Sequence, residues 1–252
     1  MSDDSRAVIE LTSLQSISRG ASLFIVGKVV LDVLEFVLNL ALTRTLGSSL
    51  YGVFAYANTL VMIALVFTSL GSDNALLKYV PQYEDDPTKQ RLMIGLAYLT
   101  SFLASFVVAA GLFAFAPTIT QYTLNEPLLV DVLRLFAVLL IFDTLVKILN
   151  TTFRSLEVLE YQVLIENLAK PTVRLVAVGV ALIAGLPFFG VMASLVVASG
   201  LVFVFAVYLF LTRVSLRPSI RSPAPTRRDF VEYYNFCSVG SLAREAATPL
   251  SW

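Results

Sequence analysis

The chain has no histidine and a single cysteine, Cys237. One thiol makes no internal disulfide, and without imidazole the usual zinc ligand sets are out of reach. Most hydrolase triads and many acid–base schemes also rest on histidine. Charge is scarce: 14% of residues, 18 basic against 18 acidic, where a soluble domain carries about 25%. Zero net charge argues against nucleic-acid binding, which draws on a basic excess. These absences exclude a soluble enzyme and lead us to expect no catalytic residues, no metal and no cofactor.

What is abundant is apolar. Residues of the AVILMFWYC set make up 57% of the 252-residue chain, and mean hydropathy is +0.80. So much apolar surface does not fit inside one water-facing shell, so lipid must be the solvent for much of it. Six long apolar stretches lie at about 21–43, 51–70, 92–116, 128–153, 166–189 and 190–212. Each is near or above the ~20 residues needed to cross ~30 Å of hydrocarbon as a helix. Open strands would leave backbone groups unpaired in lipid, so helices are expected throughout. Met1–Gly20 is polar, with no apolar signal core, and reads as a cytoplasmic lead-in.

The loops set an orientation. With the N-terminus inside, the cytoplasmic side collects Arg6, Arg19, Lys78, Lys89, Arg91, Arg154 and the five arginines from Arg213 to Arg228. The other side receives Arg44 alone. The positive-inside rule therefore places the N-terminus in the cytoplasm of a multi-pass protein of the cell membrane. Gly47 and Gly52 flank a link suited to a sharp turn between antiparallel helices. Gly71-Ser72-Asp73-Asn74 suits a helix start, and Glu84-Asp85-Asp86 suits a solvated turn.

Polar residues inside the apolar stretches are the candidates for function. Lys28, Asp32, Glu35 and Asn39 in the first stretch are spaced four, three and four apart. At 100° per residue they fall within an arc of roughly 60°. A mid-bilayer charge costs at least ~2.5–3.5 kcal/mol, so this stripe faces protein or water. It reads either as the polar wall of a substrate or ion pathway, or as a Lys28–Asp32 pair that fixes helix packing. One base against two acids favours the pathway. The fourth stretch carries Asp131 and Arg134 near its outer end, with Asp143, Lys147 and Asn150 deeper. Arg134 is expected to snorkel, while Asp143 and Lys147 are pathway candidates. In the fifth stretch, Glu166 and Lys170 are expected to snorkel at the cytoplasmic interface. Arg174 lies a turn deeper and joins the pathway, and Pro171 implies a kink. Gly27-Lys28 lacks phosphate-loop spacing, so no nucleotide site is implied.

Three runs carry a family resemblance. Leu42-Thr43-Arg44-Thr45-Leu46-Gly47-Ser48-Ser49-Leu50-Tyr51-Gly52-Val53-Phe54 resembles the end of the first helix in polysaccharide and oligosaccharide flippases. These belong to the multidrug/oligosaccharidyl-lipid/polysaccharide exporter superfamily. The run Gly71–Pro81 is similar to that family's link after the second helix, and Asn167–Leu175 to the start of its fifth. The resemblance spans about 20–215. It implies an all-α polytopic fold of two six-helix lobes around a cavity that opens alternately to each side. The implied substrate is an oligosaccharide on a polyprenyl phosphate, and Lys28, Lys147 and Arg174 would neutralise its phosphate. Asp32 and Glu35 would meet sugar hydroxyls or carry a coupling ion.

On this reading the chain comprises a lead-in at 1–20, a six-helix lobe at 21–213, a Pro/Arg-rich linker at 214–230 and an incomplete start of a second lobe at 231–252. A truncated seventh segment is expected, with a second lobe or a second copy of the chain as partner, besides the lipid-linked substrate and the surrounding lipid. The alternatives are an ion-coupled exporter of small molecules or drugs from the same superfamily, a membrane-embedded enzyme acting on polyprenyl-linked sugars, and an inactive truncated remnant.

Overall fold

A computed structural model describes the backbone of residues 3–69 and 71–213, with side chains from Ile25 onward. The linker at 214–230 and the segment at 231–252 lie outside the described residues, as do the side chains of the lead-in. Everything described is helix or short turn: α1 (Asp3–Ser69), α2 (Ser72–Gln82), α3 (Pro87–Tyr122), α4 (Pro127–Ser155), α5 (Leu159–Val163), a π-helical segment (Leu164–Ala169), α6 (Lys170–Ile183) and α7 (Phe188–Arg213).

The described parts of five apolar stretches lie in helix, while the fifth, 166–189, runs on from α6 across the turn at 184–187 into the start of α7. By length and composition, two helices among the described residues are long and apolar enough to cross a membrane, Pro87–Tyr122 and Phe188–Arg213. Counting Ile25–Ser69 with Ser72–Gln82, bent by 42°, as one broken span raises this to three.

The first two apolar stretches share α1, but a glycine separates them. Gly47 has φ 79° and ψ 169°, a conformation open to glycine almost alone. The chain folds back there. Tyr51 Oη donates a 3.2 Å hydrogen bond to Asn39 Oδ1, twelve residues earlier, whereas twelve residues of straight helix span about 18 Å. Leu38 and Leu42 before the break consequently share one buried core with Val53, Phe54 and Ala57 after it.

The bundle is arranged for lipid rather than water. The two most apolar helices, α3 and α7, have only 28% and 39% of their most apolar windows buried. At the centre is α4, which carries Asp131, Arg134, Asp143 and Lys147 and packs against α1, α2, α3 and α7. Leu129, Leu133, Phe136 and Leu140 of α4 are fully buried, and Phe136 meets Phe54 edge-on with ring centroids 6.2 Å apart. Hydrocarbon solvates leucine as well as a protein core does, so the helix that most needs protein partners takes the interior.

Local chemistry sets the ends. Asp86, last of the acidic trio, accepts from the amides of Thr88 and Lys89 at 3.2 Å each and so caps α3, with Pro87 at the first position. Gly185, at φ 67°, stops α6 with bonds from its own amide to Leu182 O and from Leu186 N–H to Ala181 O. That pair is the Schellman pattern. The same pattern follows α4, with Glu157 N–H to Arg154 O and Val158 N–H to Phe153 O. There a glutamate occupies the left-handed position, at φ 60°.

Candidate functional site

The site begins at a helical irregularity. Pro171 has no N–H to offer the carbonyl four residues back. Just before it the ladder widens to π spacing over Leu164–Ala169, and Lys170 N–H bonds to Ile165 O. Single-turn π segments of this kind recur at functional positions. Helical backbone nevertheless continues from Leu159 to Ile183, and Lys170 and Arg174, four apart, share one face of α6.

Opposite them stands Asp143 of α4, buried with only 7% of its surface exposed. Arg174 Nη2 donates to Asp143 Oδ2 at 2.7 Å and to Ser199 Oγ of α7 at 3.2 Å. Lys170 Nζ lies 3.4 Å from the same carboxylate oxygen. Three helices thus meet at one carboxylate flanked by two cations. The Nε of Arg174 is buried without a hydrogen-bond partner.

Lys170 and Arg174 line a cavity of about 100 Å³ with Glu35, Asn39, Asn58 and Phe136 among its other walls. Asn39 is anchored on both sides: it donates to Glu35 O at 2.8 Å and accepts from Tyr51. The α1 stripe is placed as its arc requires. At 100° per residue, it runs between the side holding buried Leu38 and Leu42 and the side presenting exposed Val29, Val33, Phe36 and Leu40. The exposed side of α1 is therefore apolar there, and Glu35 and Asn39 line the cavity beside it.

Of the residues singled out from the sequence, Glu35, Asn39 and Arg174 come together at this cavity, with Asp143 directly behind Arg174. Lys28 and Asp32 do not join them. They pair with each other at 2.7 Å along the helix, both exposed, and Lys28 lines a different cavity. Lys147 is also elsewhere: its ammonium lies 2.8 Å from Asp73 Oδ2 and 3.2 Å from Ser69 Oγ, tying α4 to the bend between α1 and α2. Arg134 places its guanidinium over the Phe113 ring, 5.3 Å from the centroid, with its Nε buried and unpartnered.

Lys170 was expected at the interface and instead lines the cavity beside Asp143. The signal was present, because a residue four before Arg174 must share its face. Ser199, Asn58 and Tyr51 carried no comparable mark, being ordinary small or amphipathic residues in apolar stretches.

A family model described as polysaccharide biosynthesis protein matches residues 17–244. No curated protein and no solved structure matches.

Proposed function

Because the chain belongs to the polysaccharide biosynthesis protein family, we propose that it translocates lipid-linked oligosaccharide or polysaccharide precursors across the cell membrane. A sugar headgroup cannot enter bare hydrocarbon without losing hydrogen bonds worth several kcal/mol each. A polar cavity inside a helical bundle removes that barrier while the lipid tail stays in the bilayer. This is transport, and it assigns no bond-making step to any residue.

The observation that carries the reading is the pair of cations lining the cavity, Lys170 and Arg174, both held by Asp143. A phosphate is matched by a guanidinium and an ammonium on one helix face. Asp143 fixes Arg174 so that little side-chain entropy is lost on binding. Glu35, Asn39 and Asn58 supply acceptors and donors for sugar hydroxyls. At about 100 Å³ the cavity is well below the ~300–1,000 Å³ that hold drug-sized ligands. Admission of a headgroup therefore requires the walls to separate, as alternating access demands.

On the same proposal, residues 21–213 form a six-crossing lobe, with one crossing of α1 on each side of Gly47. The N-terminus is cytoplasmic, as the basic residues near Arg154 and beyond Arg213 favour. Residues 231–252 begin a further segment. A second lobe or a second copy would supply the facing wall.

The test is Arg174→Ala in cells that depend on this protein for a surface glycan. Export should fall at least tenfold at unchanged protein abundance, with the lipid-linked precursor accumulating on the inner face. Normal export would overturn the assignment. Glu35 lines the cavity and forms no ion pair among the described residues, which favours an ion-coupled exporter of small molecules as a second reading. Loss of drug efflux in Glu35→Gln with intact surface glycan would select it.

A further inference from the structure

A second cavity, of about 320 Å³, shares no wall residue with the first. It lies between the early part of α1, the last turn of α4 and the π-helical segment. Its polar walls are Lys28, Arg154, Gln162, Glu166 and Asn167. We infer that this cavity is a binding site for a phosphate ester of a polyhydroxylated group, with Arg154 as the phosphate anchor.

The choice of ligand follows from what each wall group offers. Arg154 closes α4, and no ion pair or hydrogen bond occupies its guanidinium among the described residues. It has five donors and a fixed charge, the combination that takes two phosphate oxygens at once. Lys28 adds a second positive group, oriented by its 2.7 Å bond to Asp32. These cations by themselves would suit any anion, but Glu166 shares the wall and would repel a bare one. A carboxylate beside two amides is instead a set of acceptors and donors for neighbouring hydroxyls.

Asn167 supplies the independent sign that something polar is met here. Its residue is 7% exposed, it lines the cavity, and its side chain has no hydrogen-bond partner among the described residues. Its amide atoms open onto the cavity, so they are free to meet a polar ligand there. The packing also makes room for it: a Cβ on Gly27 would stand 2.8 Å from both Asn167 Nδ2 and Val163 Cγ1. Glycine at 27 is what allows α1 to seat against the π segment with this amide at the wall.

Two sources carry the required chemistry, an isoprenoid-linked sugar phosphate and a glycerol- or inositol-bearing phospholipid. The first rests on the transport reading and would make this cavity a station separate from the Arg174 cavity. The second does not depend on it.

The experiment uses the purified full chain in detergent, carrying Gln162→Cys with Cys237→Ser so that the one thiol reports on the cavity. The rate of maleimide labelling is measured with a polyprenyl phosphosugar, a polyprenyl phosphate without sugar, phosphatidylglycerol or phosphatidylinositol. The phosphosugar should slow labelling, and Arg154→Ala should weaken that protection by roughly tenfold or more, the loss expected for hydrogen bonds to a charged group. Glu166→Gln should weaken protection by the phosphosugar and strengthen that by the sugarless phosphate, whose repulsion it removes. Arg174→Ala should leave both intact, so failure of the transport reading and failure of this site are read separately. Equal protection by the phospholipids assigns the site to bilayer headgroups with its chemistry upheld. Absence of protection by every probe, or protection indifferent to Arg154→Ala, overturns it. If the cysteine variant does not fold, native mass spectrometry of the unaltered chain against Arg154→Ala decides, and equal retention of the phosphosugar in both refutes the site.

Discussion

Replacing Asp143 with alanine is the sharpest test of how this bundle is held together. The carboxylate is the shared counter-ion of Arg174 at 2.7 Å and Lys170 at 3.4 Å. The three side chains are 8%, 16% and 25% exposed, so all sit where water screens weakly. Removing one partner of a buried pair costs about 3–5 kcal/mol, mostly because the remaining charge is left uncompensated. Both cations border a cavity and can turn toward it, which places Asp143→Ala near the low end, at about 3 kcal/mol. Arg174→Met removes one cation and leaves the carboxylate with Lys170, so its cost is smaller, about 1–3 kcal/mol for a charged hydrogen bond and its packing. In the double variant Asp143→Ala/Arg174→Met the unpaired guanidinium is gone. The two effects should then fall short of additive by at least ~1 kcal/mol. Reversible unfolding in mixed detergent and dodecyl sulfate micelles measures all three. Asp143→Ala within about 0.5 kcal/mol of the parent, or additivity within that margin, would refute the claim that this cluster is a coupled ionic centre.

Two backbone predictions accompany it. Gly47→Ala places a Cβ at φ 79°, ψ 169° and should destabilise by about 1–3 kcal/mol. Gly52→Ala, with open space around its Cβ, should be neutral or stabilising by up to about 1 kcal/mol; the same unfolding assay compares them. Glu157→Gly relieves a side chain held at φ 60° and should stabilise by up to about 1–2 kcal/mol, visible as a rise in unfolding midpoint. A fall would mean that the glutamate side chain makes a contribution larger than the strain.

Much of the fold was legible because lipid imposes a simple rule. Backbone groups in hydrocarbon must be paired within the segment, so a stretch of some twenty apolar residues becomes a helix almost regardless of its neighbours. A break was legible between Gly47 and Gly52, and the structure puts it at Gly47, while Gly52 continues the helix. The α1 stripe was legible from angular spacing alone, and Glu35 and Asn39 do line a cavity. Spacing within one helix also accounts for the Lys28–Asp32 pair.

Which residues on different helices would meet was not legible. Asp143 and Lys147 are four apart on one helix, yet the first is held by α6 and the second by Asp73 of α2. Lys170 had the look of an interfacial lysine, and only the seating of α6 against α1 and α7 brings it within reach of Asp143 on α4. The sequence by itself determined the helices and a break near Gly47, because these follow from local sterics and from the solvent. The tertiary structure alone decided the partners of each charge. A long side chain reaches several neighbours, and the depth and rotation at which helices pack select which of them lies within ionic contact.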